Sequence, residues 1–340
     1  MKTIKYILSI AIIISSLSCN RENEVIEIKK AIPVFASGLS FQKLIDIPSN
    51  YYEDQSVGFL ANRSNNSLYL SCRFIDTQPS EIIYKIEANN LSLKTKITAS
   101  SDFVTKRNYI YNNQLYVFGA QKYTIYDLDL NLNPNSILYL PNDSFSRFGF
   151  TAQNESAYII GGFLGGSAAD PNYNRQIFKI NINSSTTSVF ATMPTNRNGG
   201  SSEIVNNKIY TFFGYKTNFD PATSNNLQLL NDLLIFDINT ANFQMLPLPT
   251  NVKVSYTAKY NNLIFVAGNK TAGNFDSPVN GSFFGYFNID TNIMTEIPIT
   301  VSNGSYTFPF ICEIEIMNNK IYALVKNSAS NYSIQVANLQ

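Results

Sequence analysis

From residue 36 onward the chain alternates short apolar runs with polar breaks, and the runs resemble one another. "NSLYLSCR" (66–73), "NQLYVFGA" (113–120), "SAYIIGGF" (156–163), "NKIYTFFG" (207–214), "NLIFVAGN" (262–269) and "NKIYALVK" (319–326) share one form. Each has a turn residue, an apolar residue, usually an aromatic, then an apolar stretch that often ends on glycine. Tyr69, Tyr116, Tyr158, Tyr210 and Tyr322 hold the same place in it. Their spacing of roughly 40 to 60 residues is that of a repeat architecture. A second run follows in each unit, carries an aromatic and ends in a polar turn, as in "IIYKIEANN" (82–90) and "LIFDINTAN" (234–242). A short third run ends near proline, as in "SVFATMP" (188–194) and "IMTEIP" (293–298). Alternation at period two predicts strands, and no stretch of 35–340 has a helical apolar period.

The runs group into six units of four short strands. In "AYIIGGFLGG" (157–166), Gly161-Gly162 resembles the double glycine that ends the second strand of a kelch-repeat blade. Phe178 and Phe190 fall where that family has its downstream aromatics, although its final tryptophan is absent and only one unit keeps both glycines. The resemblance implies an all-β fold, a six-bladed kelch-like β-propeller over residues 36–340. Another propeller type or another array of sheets is the alternative. The last unit has three strands before the chain stops, and "LSFQKLIDIPSN" (39–50) has the form of the missing outer strand. An N-terminal strand is therefore expected to complete the last blade and remove the open edges.

Asn-Asn pairs at 65–66, 112–113, 206–207, 261–262 and 318–319 precede the apolar runs. Asparagine tolerates left-handed backbone, so these pairs predict tight turns.

The amino terminus follows a different pattern. "MKTIKYILSIAIIISSLSCN" (1–20) has a basic start, an apolar run too short to span a bilayer, small residues and Cys19. It resembles a bacterial lipoprotein signal, although Leu17 stands one place later than is usual. The resemblance implies a signal peptide over 1–18, lipidation of Cys19, a tether over 19–35, and an exported outer-membrane lipoprotein, periplasmic or surface-exposed. An ordinary cleaved signal with an incidental cysteine is the alternative.

Composition narrows the chemistry. Charged residues are 14% of the chain and the net charge is +1, so nothing points to nucleic acid. There is no histidine, which removes imidazole metal sites, Ser-His-Asp triads and Cys-His dyads. No metal and no cofactor is expected. Cys72 and Cys312 fall in units that adjoin once the ring closes; two buried thiols are the expectation, a disulfide the alternative.

Two constellations are candidate ligand contacts. Three consecutive units have long loops after their second strand (163–175, 215–232 and 269–282). Long loops in a compact domain are often functional. These carry Tyr173, Arg175, Phe219, Asp220, Phe275 and Asp276, and the triplet "NFD" occurs in two of them. Aromatic, carboxamide and carboxylate groups together suit sugar binding; loop turns with an underlying phenylalanine are the plainer reading. Arg107, Arg147, Arg197 and Lys253 stand 8, 10, 12 and 10 residues before the apolar anchors of four successive units. The even offsets allow one strand face, at the mouth of the channel. Arginine favours bidentate carboxylate or phosphate, so an anionic sugar is the expected ligand; pairing with neighbouring acids is the alternative.

The expected function is non-enzymatic binding, of a glycan or of an envelope protein, by an anchored propeller. Some kelch-like propellers are sialic acid mutarotases, and Glu203 near Arg197 suits such acid–base work. Others are copper-radical oxidases, which the absence of histidine excludes here. A purely protein-docking scaffold is the third reading.

Overall fold

The computed structural model describes residues 35, 38–47, 57–75, 79–99, 106–120, 122–131, 137–138, 145–164, 175–218, 226–270, 281–302, 310–328 and 331–339. All belong to one unit that begins at Phe35. Among the described residues every regular element is a β-strand.

The asparagine pairs set the local geometry. Asn112 and Asn113, Asn206 and Asn207, and Asn318 and Asn319 all take left-handed backbone, with φ between 49 and 58°. Two consecutive left-handed residues make the two-residue hairpin whose twist matches that of its strands. Each pair joins the first strand of a unit to its second, as with Tyr111 opposite Gln114 and Val205 opposite Lys208. The turns from third to fourth strand are held differently. Asp127, Asn181, Asp237 and Asn288 each use a side-chain oxygen to accept backbone N–H groups just ahead. This is the local bonding for which Asx residues are favoured in turns.

Six antiparallel four-stranded sheets result. Blade 1 is Gly58–Asn62, Ser67–Ile75, Pro79–Glu87 and Leu93–Ala99, counted outward from the axis. Blade 2 is Arg107–Tyr111, Gln114–Phe118, Lys122–Asp127 and Ile137–Leu138. Blade 3 is Gly149–Gln153, Ser156–Ile160, Gln176–Asn181 and Thr186–Thr192. Blade 4 is Ser201–Val205, Lys208–Phe212, Asp232–Asp237 and Phe243–Pro247. Blade 5 is Val254–Tyr260, Leu263–Asn269, Ser282–Asn288 and Ile293–Glu296. Blade 6 takes Ile311–Met317, Lys320–Lys326 and Tyr332–Asn338 from the end of the chain. Its outer strand is Gln42–Ile47, from the beginning. The fold is the expected six-bladed kelch-like propeller, and the N-terminal strand closes its last blade.

The core is divided among the interfaces between blades. One apolar cluster lies between blades 1 and 2, and another between each following pair around the ring. Second strands are buried on both faces, as in Ser156–Ile160 and Leu263–Asn269. This is why they read as near-continuous apolar runs. Tyr69, Phe118, Phe212, Phe236 and Phe265 are fully buried in these clusters, and each contributes about 3 kcal/mol of apolar burial. Fourth strands face solvent on one side and expose Ile97, Val189, Met245 and Ile293. Phe35 packs against Phe265 and Tyr286 between blades 5 and 6. Cys72 and Cys312 share the cluster between blades 6 and 1 as buried, unbridged thiols.

The double glycine has a steric cause. Gly161 and Gly162 have φ of 61 and 91°. The Gly162 N–H donates to Arg197 O at 2.8 Å, in the segment leading into blade 4. A Cβ on Gly161 would stand 2.3 Å from that same carbonyl oxygen. Blade 4 repeats the device with Phe213 and Gly214, at φ of 53 and 96°, and Gly214 donates to Val252 O ahead of blade 5. Gly161→Ala therefore combines strained backbone with a backbone clash. It should cost about 2–3 kcal/mol of stability in urea unfolding; a cost within the ±0.5 kcal/mol of ordinary surface changes would refute the steric account.

Candidate functional site

The innermost strands of the blades lie side by side around the axis and enclose a cavity of about 260 Å³. Strand register sorts its charged lining into three levels. Arg107 and Glu313 stand near the starts of their strands, on the side where the long loops emerge. Glu203, Glu315 and Tyr109 occupy the middle, each opposite the repeated tyrosine of its second strand (Tyr210, Tyr322 and Tyr116). Lys259 lies toward the far end of its strand, and Arg63 in the turn just past the end of its own. Small polar side chains fill the spaces between. Ser201 and Ser255 are hydrogen-bonded at 2.9 Å, and Asn108 ties blade 2 to blade 1 through Gly58 O at 2.9 Å.

Three carboxyls thus share one confined space with three cations. Burial pushes Glu203 up to about 7, against a hydrogen bond from Thr257 and the charge of Lys259. Burial likewise pushes Glu313 up to about 8; Arg107 opposes this and Glu203 adds to it. Glu315 is raised well above the carboxylate range by burial and by its two acidic neighbours, with Arg63 opposing. Desolvation and like charge act in the same direction here and favour the neutral carboxylic acid. Such groups take up or release protons near neutrality, the range suited to general acid–base work. Among the described residues no group of acids or cysteines is arranged to hold a metal ion.

The four expected cations do not all reach this cavity. Arg107 lines it, with Nη1 donating to Val57 O at 3.0 Å and Lys106 O at 2.8 Å, and lying 3.4 Å from Glu313 Oε1. Arg197 is 1% exposed; its guanidinium is held by Phe213 O and the Asp232 carboxylate in the wall of blade 4. Arg147 takes left-handed backbone and donates from Nη1 to Tyr215 Oη at 3.0 Å. Lys253 Nζ lies 6.0 Å from the centre of the same tyrosine ring. Burial, and then the nearby Arg147 charge, lowers the Lys253 pKa. Arg147 and Lys253 therefore form a second cationic locus around Tyr215.

Of the loop candidates, Arg175 is exposed and clamps its own blade, donating to Met193 O at 3.0 Å and Pro194 O at 2.9 Å. Tyr173, Phe219, Asp220, Phe275, Asp276 and Cys19 lie outside the described residues. Sequence reasoning passed over Glu313, Glu315, Arg63 and Lys259. For the first two a signal existed: "ICEIEIM" (311–317) puts two acids two residues apart, on one face of an otherwise apolar strand.

The sequence matches no protein-family model and none of the curated proteins. Among solved structures, the chain is similar to one titled "Structure of YjhT", with a TM-score of 0.60 and 12% identity. The match covers 86% of this chain and 96% of that one. At this identity the likeness shows the fold alone.

Two predictions follow from the charge arrangement. Arg197→Met leaves the part-buried Asp232 carboxylate without its cation and should cost about 1–3 kcal/mol. Adding Asp232→Leu should recover much of that loss in the same unfolding assay, whereas no recovery would mean the pair is not the cause. The second concerns pH. The folded carboxyls are raised above the unfolded value of about 4.3, so the native state binds the extra protons. Their contribution to stability should be greatest below that value and fall as pH rises through 7 and 8. Glu315→Gln should flatten the fall; a wild-type Tm that rises from pH 5 to 8 would contradict the assignment.

Proposed function

We propose that this chain is an envelope-anchored lipoprotein whose propeller binds an acidic sugar at the loop-side end of its channel, without converting it. The anchor is a lipid on Cys19, and the location is the outer membrane, on its periplasmic or external face. The observation that carries the ligand class is the composition of the cavity. Arg107 offers a guanidinium for a carboxylate, and hydroxyl and carboxyl groups stand below it to accept and donate hydrogen bonds. Tyr109 and Tyr256 add ring faces and edges to the lining. A volume of about 260 Å³ suits one sugar ring with its substituents. The locus at Arg147, Lys253 and Tyr215, with the loop residues Tyr173, Arg175, Phe219, Asp220, Phe275 and Asp276, would meet the rest of a longer glycan.

A second reading is a sugar-modifying enzyme of the sialic acid mutarotase type. The observation favouring it is the pair Glu203 and Glu313, raised to about 7 and 8 in the same cavity. Such groups suit proton transfer to and from a hemiketal oxygen.

The test uses residues 20–340, which omit Cys19 and hold every strand of the closed ring. Thermal unfolding is followed against glucuronate, N-acetylneuraminate and their neutral counterparts. An acidic sugar at 100 times its Kd should stabilise by about 2.7 kcal/mol, and Arg107→Met should weaken binding by about 10- to 100-fold. Proton NMR of the anomers separates binding from turnover. No shift with any sugar would overturn the ligand reading in favour of protein docking.

A further inference from the structure

The contact between Arg107 and Glu313 is poorly made for an ion pair. It spans the channel from blade 2 to blade 6 and is 3.4 Å long. It falls on Nη1, whose two protons already go to Val57 O and Lys106 O. A well-formed guanidinium–carboxylate pair has two parallel bonds of about 2.7–2.9 Å. Glu313 meets the cation by charge alone, while its backbone is fixed in the innermost strand of blade 6.

We infer that Glu313, when ionised, is a built-in stand-in for the ligand's carboxylate: in that form it neutralises Arg107 in the unliganded channel and, taking a proton from solvent, yields that cation when an acidic ligand enters. This rests on the acidic-sugar reading above and adds its regulation. The exchange replaces one loose charge contact with the bidentate pairing that Arg107 can offer. It removes a negative charge from a space already holding Glu203 and Glu315. Without protonation, the entering carboxylate would stand as a second anion beside Glu313.

The surroundings set the sign of the pH dependence. Blade 6 contributes Glu313 itself and Glu315; blade 4 contributes Glu203. Blade 1 contributes Arg63, blade 2 Arg107 and Tyr109, and blade 5 Tyr256 and Lys259. Blade 3 presents Phe150, Thr151 and Ala152, none of which titrates. Below about 8 Glu313 already holds its proton and the exchange needs none from solvent. Above it, each bound anion must bring one, so affinity falls by up to about tenfold per pH unit.

Calorimetry with glucuronate and N-acetylneuraminate at pH 6.5, 8 and 9.5 tests this, in buffers of differing ionisation heat. The wild type should lose about tenfold in affinity between pH 8 and 9.5 and take up close to one proton on binding at the higher pH. Glu313→Gln should bind at least tenfold more tightly than the wild type at pH 9.5 and take up correspondingly less. Binding without proton uptake by the wild type, or weaker binding by Glu313→Gln, would overturn the exchange and leave the ligand reading standing. Binding of neither acid by either protein at any pH would overturn both. The wild-type proton count does not depend on how the variant folds.

Discussion

Every blade of this protein is a sheet with two apolar faces, and such a sheet has no stable place to stop. A face left uncovered would expose the tyrosines and phenylalanines that the repeat supplies in each unit. Covering it with the next blade only passes the problem along, until the sixth blade meets the first. Ring closure is therefore the condition for burying any one interface fully. The six separate clusters, one for each junction, are the outcome. Close packing also fixes the backbone detail: Gly161 sits where the next blade's entering segment leaves no room for a side chain, and Gly214 where the segment entering its own blade leaves none.

The same closure creates the site. Innermost strands converge on an axis too narrow for large side chains from every blade at once. Serine, threonine and asparagine therefore occupy much of it. The charged side chains that line it, three acidic and three basic, must share what space is left. Their proximity is a by-product of geometry in one sense and a functional resource in another. A carboxyl that keeps its proton near neutrality is expensive in a folded protein unless confinement enforces it.

Much of the fold was legible because it is written in local chemistry repeated six times. The Asn-Asn pairs named the hairpins, since two left-handed residues in succession suit asparagine more than most side chains. The repeated tyrosines named the second strands. Phe213 was not legible as the partner of Gly214: a bulky residue with positive φ is tolerated only because tertiary packing holds it. The site was read less well. Arg107 was recognised, but even spacing alone did not separate it from Arg197, whose fate depends on Asp232, 35 residues away. Glu313 and Glu315 were passed over. Only knowledge that this strand is innermost, and that blades 2 and 4 face it across the axis, turns two routine polar positions into a coupled pair.

The strand Gln42–Ile47 is among the first segments of the ring to leave the ribosome, and its partner Tyr332–Asn338 is among the last. No earlier segment completes blade 6. A growing chain can therefore build blades 1 to 5 in order, yet it must hold its own beginning in reserve until synthesis ends. Contacts of such long sequence separation are slow to form, so the step that joins the two ends is the one expected to set the pace of folding. Until those two ends meet, the ring is an open arc with one strand waiting.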